Sequence, residues 1–153
     1  AVRVATVFGI EDLLAALVAL EDSFAAKASE FRTVVKMGRT QLQDAVPMTL
    51  GQEFTAFAVT IREDILRLRD ASDLLRECSL GATAIGTGIT ADPRYQAEVL
   101  QRLSESAGIR LVRSQDFVEA TWDPGAFMSF SGSTHGQPGV THCTASNGAG
   151  SLS

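Results

Sequence analysis

Uncharged hydrogen-bonding side chains are concentrated between residues 36 and 54, where the chain passes from one stretch of helical periodicity to the next. Polar groups at such a break need hydrogen-bond partners, from the protein or from a ligand. A hydroxyl and an amide, as on Thr40 and Gln41, can bind a carboxylate, but neither is a plausible general base near neutral pH. This arrangement is similar to the wall of a substrate pocket, whose uncharged groups could hold a ligand but could not remove a proton from it.

The neighbours Arg39, Gln43 and Asp44 are predicted to be the polar scaffold of the same segment. A buried arginine is stabilised chiefly by pairing, and Asp44 is close enough in sequence to be its partner. Residues alone also allow a second interpretation of Thr40 and Gln41, because such side chains in a turn between helices are usually capping or solvated groups.

Two other clusters of residues could indicate a binding site, but less strongly. Gly81, Gly86 and Gly88 suggest a phosphate cradle, but the cluster follows a helix and lacks the Gly-Lys-Ser/Thr ending of a P-loop. His135, His142 and Cys143 have no standard zinc spacing and no fourth ligand, and a cysteine nucleophile there would lack a held geometry. We therefore expect neither a metal nor a cofactor.

Three helices are predicted to position these residues. Apolar residues recur at steps of three and four from Val7 to Val35, which indicates one long amphipathic helix. A second helix is expected from the capping box Thr49-x-x-Gln52 to about Cys78. A third, shorter one is expected between Asp92-Pro93, which supplies an N-cap and a first-turn proline, and Gly108.

Composition limits the function classes. The chain has 153 residues and a net charge of −5, with no basic patch, which argues against a nucleic-acid partner. Its apolar windows are interrupted by acids, so we expect no membrane span or signal peptide and a cytoplasmic location. Two cysteines give no disulfide framework.

The last thirty residues contain no Lys, Arg, Asp or Glu and are rich in Gly, Ser and Thr. Too little apolar area remains to offset the entropy of ordering, so residues 131–153 are expected to be an irregular or disordered tail. The abrupt change suggests a reading-frame change or artificial joint near residues 129–133, which sequencing of the coding DNA would test.

The polar run at 36–54, the turn Leu80–Gly88 and the run Glu119-Ala-Thr-Trp-Asp carry a family resemblance that extends over about residues 2–132. They resemble the aspartase/fumarase superfamily, and Gln41 after Arg-Thr is similar to bacterial aspartate ammonia-lyases. The resemblance implies an all-α fold, with residues 1–130 forming part of a central long-helix bundle. It also implies a homotetrameric parent protein, of which this chain is an internal fragment.

The resemblance further implies reversible elimination of ammonia from L-aspartate to fumarate, with Thr40 and Gln41 binding the dicarboxylate. The family's base is a serine in a downstream Gly-Ser-Ser loop that is not recognisable here, so this chain alone is expected to be inactive. Two alternatives stay open at this point. One is a fumarate hydratase, although fumarases have His at the position of Gln41, and the other is a noncatalytic helical oligomerisation module.

Overall fold

The computed structural model describes residues 1–134, which are predominantly helical, as predicted. In chain order the elements are α1 (Val2–Glu30), β1 (Val35–Thr40), β2 (Gln43–Thr49), α2 (Leu50–Leu75), β3 (Glu77–Cys78), α3 (Pro93–Ala107), β4 (Val112–Arg113), α4 (Glu119–Trp122) and α5 (Gly125–Thr134). The strands form two small sheets, β1 with β2 and β3 with β4. None of the helices within residues 1–134 is long and apolar enough to cross a membrane.

The first helix begins and ends about five residues earlier than its periodicity predicts, at Val2 and Glu30. A turn ends it, in which Val34 N–H donates to the carbonyl of Phe31 at 3.1 Å. The strand β1 begins at Val35, and the extended conformation suits this β-branched side chain. Val35 therefore belongs to a sheet and Val34 to the link before it, although both continue the helical spacing.

The start of α2 is the predicted capping box. Gln52 N–H donates to Thr49 Oγ1 at 3.1 Å, and Thr49 N–H donates to Gln52 Oε1 at 2.8 Å. Two donors that the helix itself cannot satisfy are thereby paired. The helix ends at Leu75, three residues before the predicted Cys78, because the chain there enters the short strand β3.

The chain divides into two compact units, one of which contains residues 12–67. Its buried apolar side chains are Ala58 and Ile65. Four half-buried rings from α1, α2 and the turn between α1 and β1 pack together, with centroid separations of 5.6–6.0 Å: Phe24, Phe31, Phe54 and Phe57. Gly51 lets the start of α2 approach the end of α1, because a Cβ there would lie 2.6 Å from the carbonyl oxygen of Ala28. The aromatic cluster fixes the two helices from which the β1–β2 hairpin extends.

The other unit contains residues 1–11 and 68–134. Its most buried large side chains are Val7, Ile10, Leu68 and Leu75. The helix α3 has the predicted caps: Asp92 accepts a hydrogen bond from Arg94 N–H at 2.8 Å, and Gly108 is left-handed with φ 68°. The strands β3 and β4 pair in parallel, with Glu77 opposite Val112.

The C-terminal boundary differs from the prediction. The helix α5 continues to Thr134, so residues 131–134 are helical although an irregular tail was expected from about residue 131. Side-chain hydroxyls in this helix bond to its own carbonyls, as Ser133 does to Ser129 at 2.8 Å, which suits a Ser- and Gly-rich helix without charges. The rest of the predicted tail, residues 135–153, lies outside the described residues.

Candidate active site

The polar segment that the sequence places between two helices is an antiparallel hairpin. The strand β1 pairs with β2 in a register that sets Val35 opposite Thr49 and Thr40 opposite Gln43. Sequence reasoning predicted a turn and missed both strands. The short hairpin signal Asn-Gly is absent, and Gln41-Leu42 occupies the turn instead.

Both central residues of this turn have positive φ, 49° at Gln41 and 65° at Leu42. Two-residue hairpin loops often require this conformation, which glycine or asparagine adopts easily. For other residues the left-handed conformation costs about 1–2 kcal/mol each. The strand pairing therefore holds Gln41 and Leu42 in a conformation that neither would prefer alone, and such strain is frequent at functional sites.

Thr40 and Gln41 lie next to each other at the hairpin tip, and both are exposed. Thr40 is the last residue of β1, where backbone pairing with Gln43 fixes its position. A hydroxyl and an amide on one fixed tip can donate two hydrogen bonds to a carboxylate that approaches from outside. The structure thus places these two neighbouring residues at an exposed tip, and their role in substrate binding stays a prediction.

The predicted pair of Arg39 and Asp44 is present. Arg39 Nε donates to Asp44 Oδ1 at 2.9 Å, and the two residues are opposite each other across the hairpin. The pair lies in solvent, since the side chain of Arg39 is 66% exposed and that of Asp44 63%. A cross-strand pair in water contributes about 0–1 kcal/mol, so Arg39 and Asp44 support the hairpin only weakly. Among the described contacts, Gln43 supports the hairpin only by its backbone pairing with Thr40.

A register shift between Met37 and Arg39 marks an irregularity in β1, and Gly38 stands at it. A Cβ at Gly38 would lie 2.9 Å from the carbonyl oxygen of Val46 and 3.1 Å from Met48 Sδ. Glycine is therefore needed for close approach of the two strands. The irregularity lies two residues before Thr40 and affects how the tip is aimed.

The sequence analysis assigned no role to Lys36 and Glu53, which join the hairpin to α2. Lys36 Nζ donates to both carboxylate oxygens of Glu53, at 2.8 Å and 2.7 Å. Glu53 is in the first turn of α2, where a negative charge is favoured by the helix dipole. An acid in the first turn after a capping residue can be recognised in the sequence. Its partner Lys36 lies 17 residues away, and only the folded structure shows that the two side chains meet.

The glycine cluster is in the unit that contains residues 68–134, and it forms a tight turn. Gly81, Gly86 and Gly88 all have positive φ, as does the non-glycine Thr83 at 62°. Gln96 of α3 fills the turn: its Nε2 donates to the carbonyl of Gly81 at 2.8 Å. The glycines are explained by this packing, and a protein side chain occupies the place where a phosphate would be cradled.

The remaining candidate groups give no second site among the described residues. Residues 1–134 contain no group of three or more His, Cys, Asp or Glu side chains that could hold a metal ion. His135, His142 and Cys143 lie outside the described residues. Cys78 is a buried free thiol, and burial raises its pKa against the opposing charge of Arg3, which makes it a weak nucleophile.

Comparison with known proteins covers nearly all of the described structure. A family model described as Lyase matches residues 1–136. This chain belongs to that lyase family. Aspartate ammonia-lyase from Pseudomonas fluorescens is 59% identical over 133 residues, and the protein of the same name from Escherichia coli K12 is 44% identical over 130 residues. These matches include 86% and 85% of this lyase-family chain, which spans 28% and 27% of the two relatives' lengths.

Solved structures agree with the family. The fumarate lyase:delta crystallin from Brucella melitensis bound to cobalt superposes with a TM-score of 0.81 at 52% identity, covering 86% of this chain and 29% of that one. The class II fumarase from Schistosoma mansoni superposes with a TM-score of 0.73 at 24% identity over 78% of this chain and 28% of that one. The second similarity supports the fold alone, and both agree with the predicted lyase-type helical fold.

Proposed function

We propose that this chain is part of an aspartate ammonia-lyase, which reversibly eliminates ammonia from L-aspartate to give fumarate. The observation that carries the proposal is the 59% identity to proteins named aspartate ammonia-lyase over 133 residues. The polar hairpin tip supports it, because Thr40 and Gln41 offer uncharged donors for a carboxylate. The substrate class is accordingly a small dicarboxylate.

The reaction removes a carbon-bound proton next to one carboxylate and expels the amine from the neighbouring carbon. Removal of that proton places a second negative charge on the carboxylate, so fixed donors aimed at its oxygens lower the barrier. Thr40 and Gln41 would bind and orient a substrate carboxylate. Neither can remove the proton near neutral pH, so the base belongs to a different segment of the parent protein.

Gln41 supports an ammonia-lyase over a fumarate hydratase, because fumarases of the resembling superfamily have a histidine at this position. The test is an activity comparison with the full-length protein that contains this sequence. We expect fumarate to form from L-aspartate with release of ammonium, and little or no fumarate from malate. Turnover of malate alone would identify a hydratase and contradict the proposal.

We also propose that the parent protein is a cytoplasmic homotetramer. The free, buried thiol of Cys78 suits a reducing compartment. Large apolar side chains are exposed in both units, including Val35, Val46, Leu66, Ile85 and Trp122. Apolar area of this kind is typical of surfaces that other protein segments cover. Light scattering of the full-length protein tests the tetramer, and a monomer with full lyase activity would contradict it.

The 153-residue chain itself is expected to be inactive, since the proposed base is not recognisable in it. Fumarate production from L-aspartate by the purified chain would contradict this expectation. If the purified chain forms a defined oligomer without activity, and the full-length protein is also inactive, a noncatalytic helical module becomes the better description.

A further inference from the structure

The hairpin that carries Thr40 and Gln41 is fixed to α2 at its base. Leu50 N–H donates to the carbonyl of Val34 at 2.8 Å, and the capping box between Thr49 and Gln52 closes the junction. These contacts fix the place from which the hairpin emerges. They do not fix its tilt, because a two-stranded ribbon with an exposed tip can bend about its base.

One ion pair links the body of the hairpin to the helix. Lys36 Nζ lies 2.8 Å and 2.7 Å from the two carboxylate oxygens of Glu53. Apart from the capping box, these are the side-chain hydrogen bonds between hairpin and α2 in the described part of the chain. The lysine ammonium acts as a point charge, so this contact restrains the distance between the strand and the helix. In a hairpin whose base is fixed, that distance sets the tilt.

The Lys36–Glu53 pair is less exposed to solvent than the other ion pairs of the described residues. The side chains are 31% exposed at Lys36 and 21% at Glu53, and among the ion pairs of residues 1–134 it is the one in which both partners are less than a third exposed. The Arg39–Asp44 pair nearer the tip is about two-thirds exposed on both sides. Solvent and salt therefore screen the Lys36–Glu53 attraction less.

Glu53 sits on an element that is held in place, and Lys36 sits on the strand that carries the tip. Glu53 is in the first turn of α2, and Gly51 lets this turn approach α1, since a Cβ there would lie 2.6 Å from the carbonyl oxygen of Ala28. Lys36 is paired with Met48 in the hairpin register, four residues before Thr40 on the same strand. A displacement at Lys36 is therefore transmitted along β1 to Thr40 and Gln41.

We propose that Lys36 and Glu53 are positioning residues of the ammonia-lyase site, and that their ion pair sets the angle at which the hairpin presents Thr40 and Gln41 to the substrate carboxylate. The inference rests on the proposed function. Neither residue is required to touch the substrate. Their effect on the reaction is transmitted by the hairpin.

The test is a double-mutant cycle in the full-length enzyme with Lys36→Met, Glu53→Gln and the double variant. Because misplaced binding groups lose rate steeply with distance, each single variant should lower kcat/KM for L-aspartate roughly 10- to 100-fold. The loss should appear mainly in KM, since Thr40 and Gln41 would hold the carboxylate in ground and transition states alike. The double variant should be no worse than the worse single one, because either change breaks the same pair.

Lys36→Arg is the rescue variant, as it keeps the positive charge and should recover most of the loss. Arg67→Met with Glu63→Gln is the matched control, because Arg67 pairs only within α2, with Glu63 at 3.2 Å and with Asp64 at 2.7 Å, in the ion pairs of the described residues. Circular dichroism of each variant checks folding, and Glu53→Gln, which preserves shape, keeps the test valid if Lys36→Met fails to fold. An unchanged KM in the folded variants, or an equal rise in the control, would overturn the proposal.

Failure of the proposed function is distinguishable from failure of this inference. If the wild-type enzyme shows no activity on L-aspartate, the proposed function is wrong. Whether the Lys36–Glu53 pair restrains the hairpin is then measured by amide hydrogen exchange in the 153-residue chain. Lys36→Met should raise the amide exchange rates of residues 36–48 at least several-fold relative to the Arg67→Met control. Unchanged rates would overturn the proposal that the ion pair restrains the hairpin.

Discussion

Gln96 of α3 donates a hydrogen bond to the carbonyl oxygen of Gly81 at 2.8 Å, and the same side chain fills the space beside Gly88. A Cβ at Gly81 would lie 2.7 Å from Gln96 Cγ, and one at Gly88 would lie 2.5 Å from Gln96 Nε2. The glycine-rich turn is thus shaped around one amide side chain from a helix that follows it. The atoms that an added Cβ would meet at a glycine of this turn indicate how much an alanine substitution there would lower stability.

Gly86→Ala should destabilise the chain far more than Gly108→Ala. A Cβ at Gly86 would lie 2.4 Å from Val118 Cα and 2.5 Å from the carbonyl carbon of Phe117, which are backbone atoms that cannot rotate away. Overpacking and positive φ together should cost about 2–5 kcal/mol.

Gly108 is the control, because its φ is also positive but no atom lies within 4 Å of the added Cβ. Its substitution should cost only the backbone term, about 1–2 kcal/mol. Urea unfolding followed by circular dichroism measures both variants. Equal losses would show that close packing at Gly86 is absent.

Thr49→Ala should lower the free energy of unfolding by about 1 kcal/mol, because Gln52 N–H loses the capping oxygen at the start of α2. Thr60→Ala is the matched control in the middle of the same helix, where the hydroxyl bonds to the carbonyl of Ala56. Alanine is the better helix former there, so this variant should be slightly stabilised. Opposite signs in urea unfolding confirm the cap, and a loss at both positions contradicts it.

Glu119→Gln should change how stability depends on pH. Desolvation is the main cause that raises the pKa of Glu119 above its ordinary value of 4.5, followed by a hydrogen bond to Asp123 and by the charges of Asp123, Glu77 and Asp116. A raised pKa in the folded state contributes stability that is full below the ordinary pKa and is lost as pH rises through the folded pKa. The stability of the variant relative to the wild type should therefore increase as pH rises above the ordinary pKa of 4.5.

Asp92→Asn should show the opposite pH dependence. The side-chain hydrogen bond from Arg94 lowers the pKa of Asp92, and the backbone N–H of Arg94 lowers it further. A lowered pKa contributes stability that is present above the ordinary value of 3.8 and is lost on acidification through the folded pKa. The variant should be less stable than wild type at neutral pH and approach it in acid. Unfolding curves across pH that move both variants in the same direction would contradict these assignments.

Features set by neighbouring residues were predictable from the sequence. The capping box at Thr49 and Gln52 and the caps of α3 at Asp92 and Gly108 follow from side-chain chemistry within three residues, and all are present. The hairpin was not predictable in this way, because Gln41-Leu42 is an unfavourable turn that only the completed strand pairing enforces.

Contacts between residues that are distant in sequence depend on the fold. Lys36 and Glu53 are 17 residues apart, and Gln96 and Gly81 are 15 apart. No local pattern pairs these residues, since no short motif in the sequence links a strand lysine to a helix glutamate or a turn glycine to a helix glutamine. The two binding residues themselves, Thr40 and Gln41, could be selected because their chemistry and their family resemblance point the same way.

The KM of Thr40→Val in the full-length enzyme shows whether the hairpin tip binds the carboxylate of L-aspartate. Valine preserves the shape and removes the donor. Thr33→Val, at an exposed threonine in the turn before β1, is the matched control. We expect KM for L-aspartate to rise about 10-fold or more with Thr40→Val, the loss of a hydrogen bond to a charged group, and to stay unchanged with Thr33→Val. A wild-type KM in the folded Thr40→Val enzyme would contradict the claim.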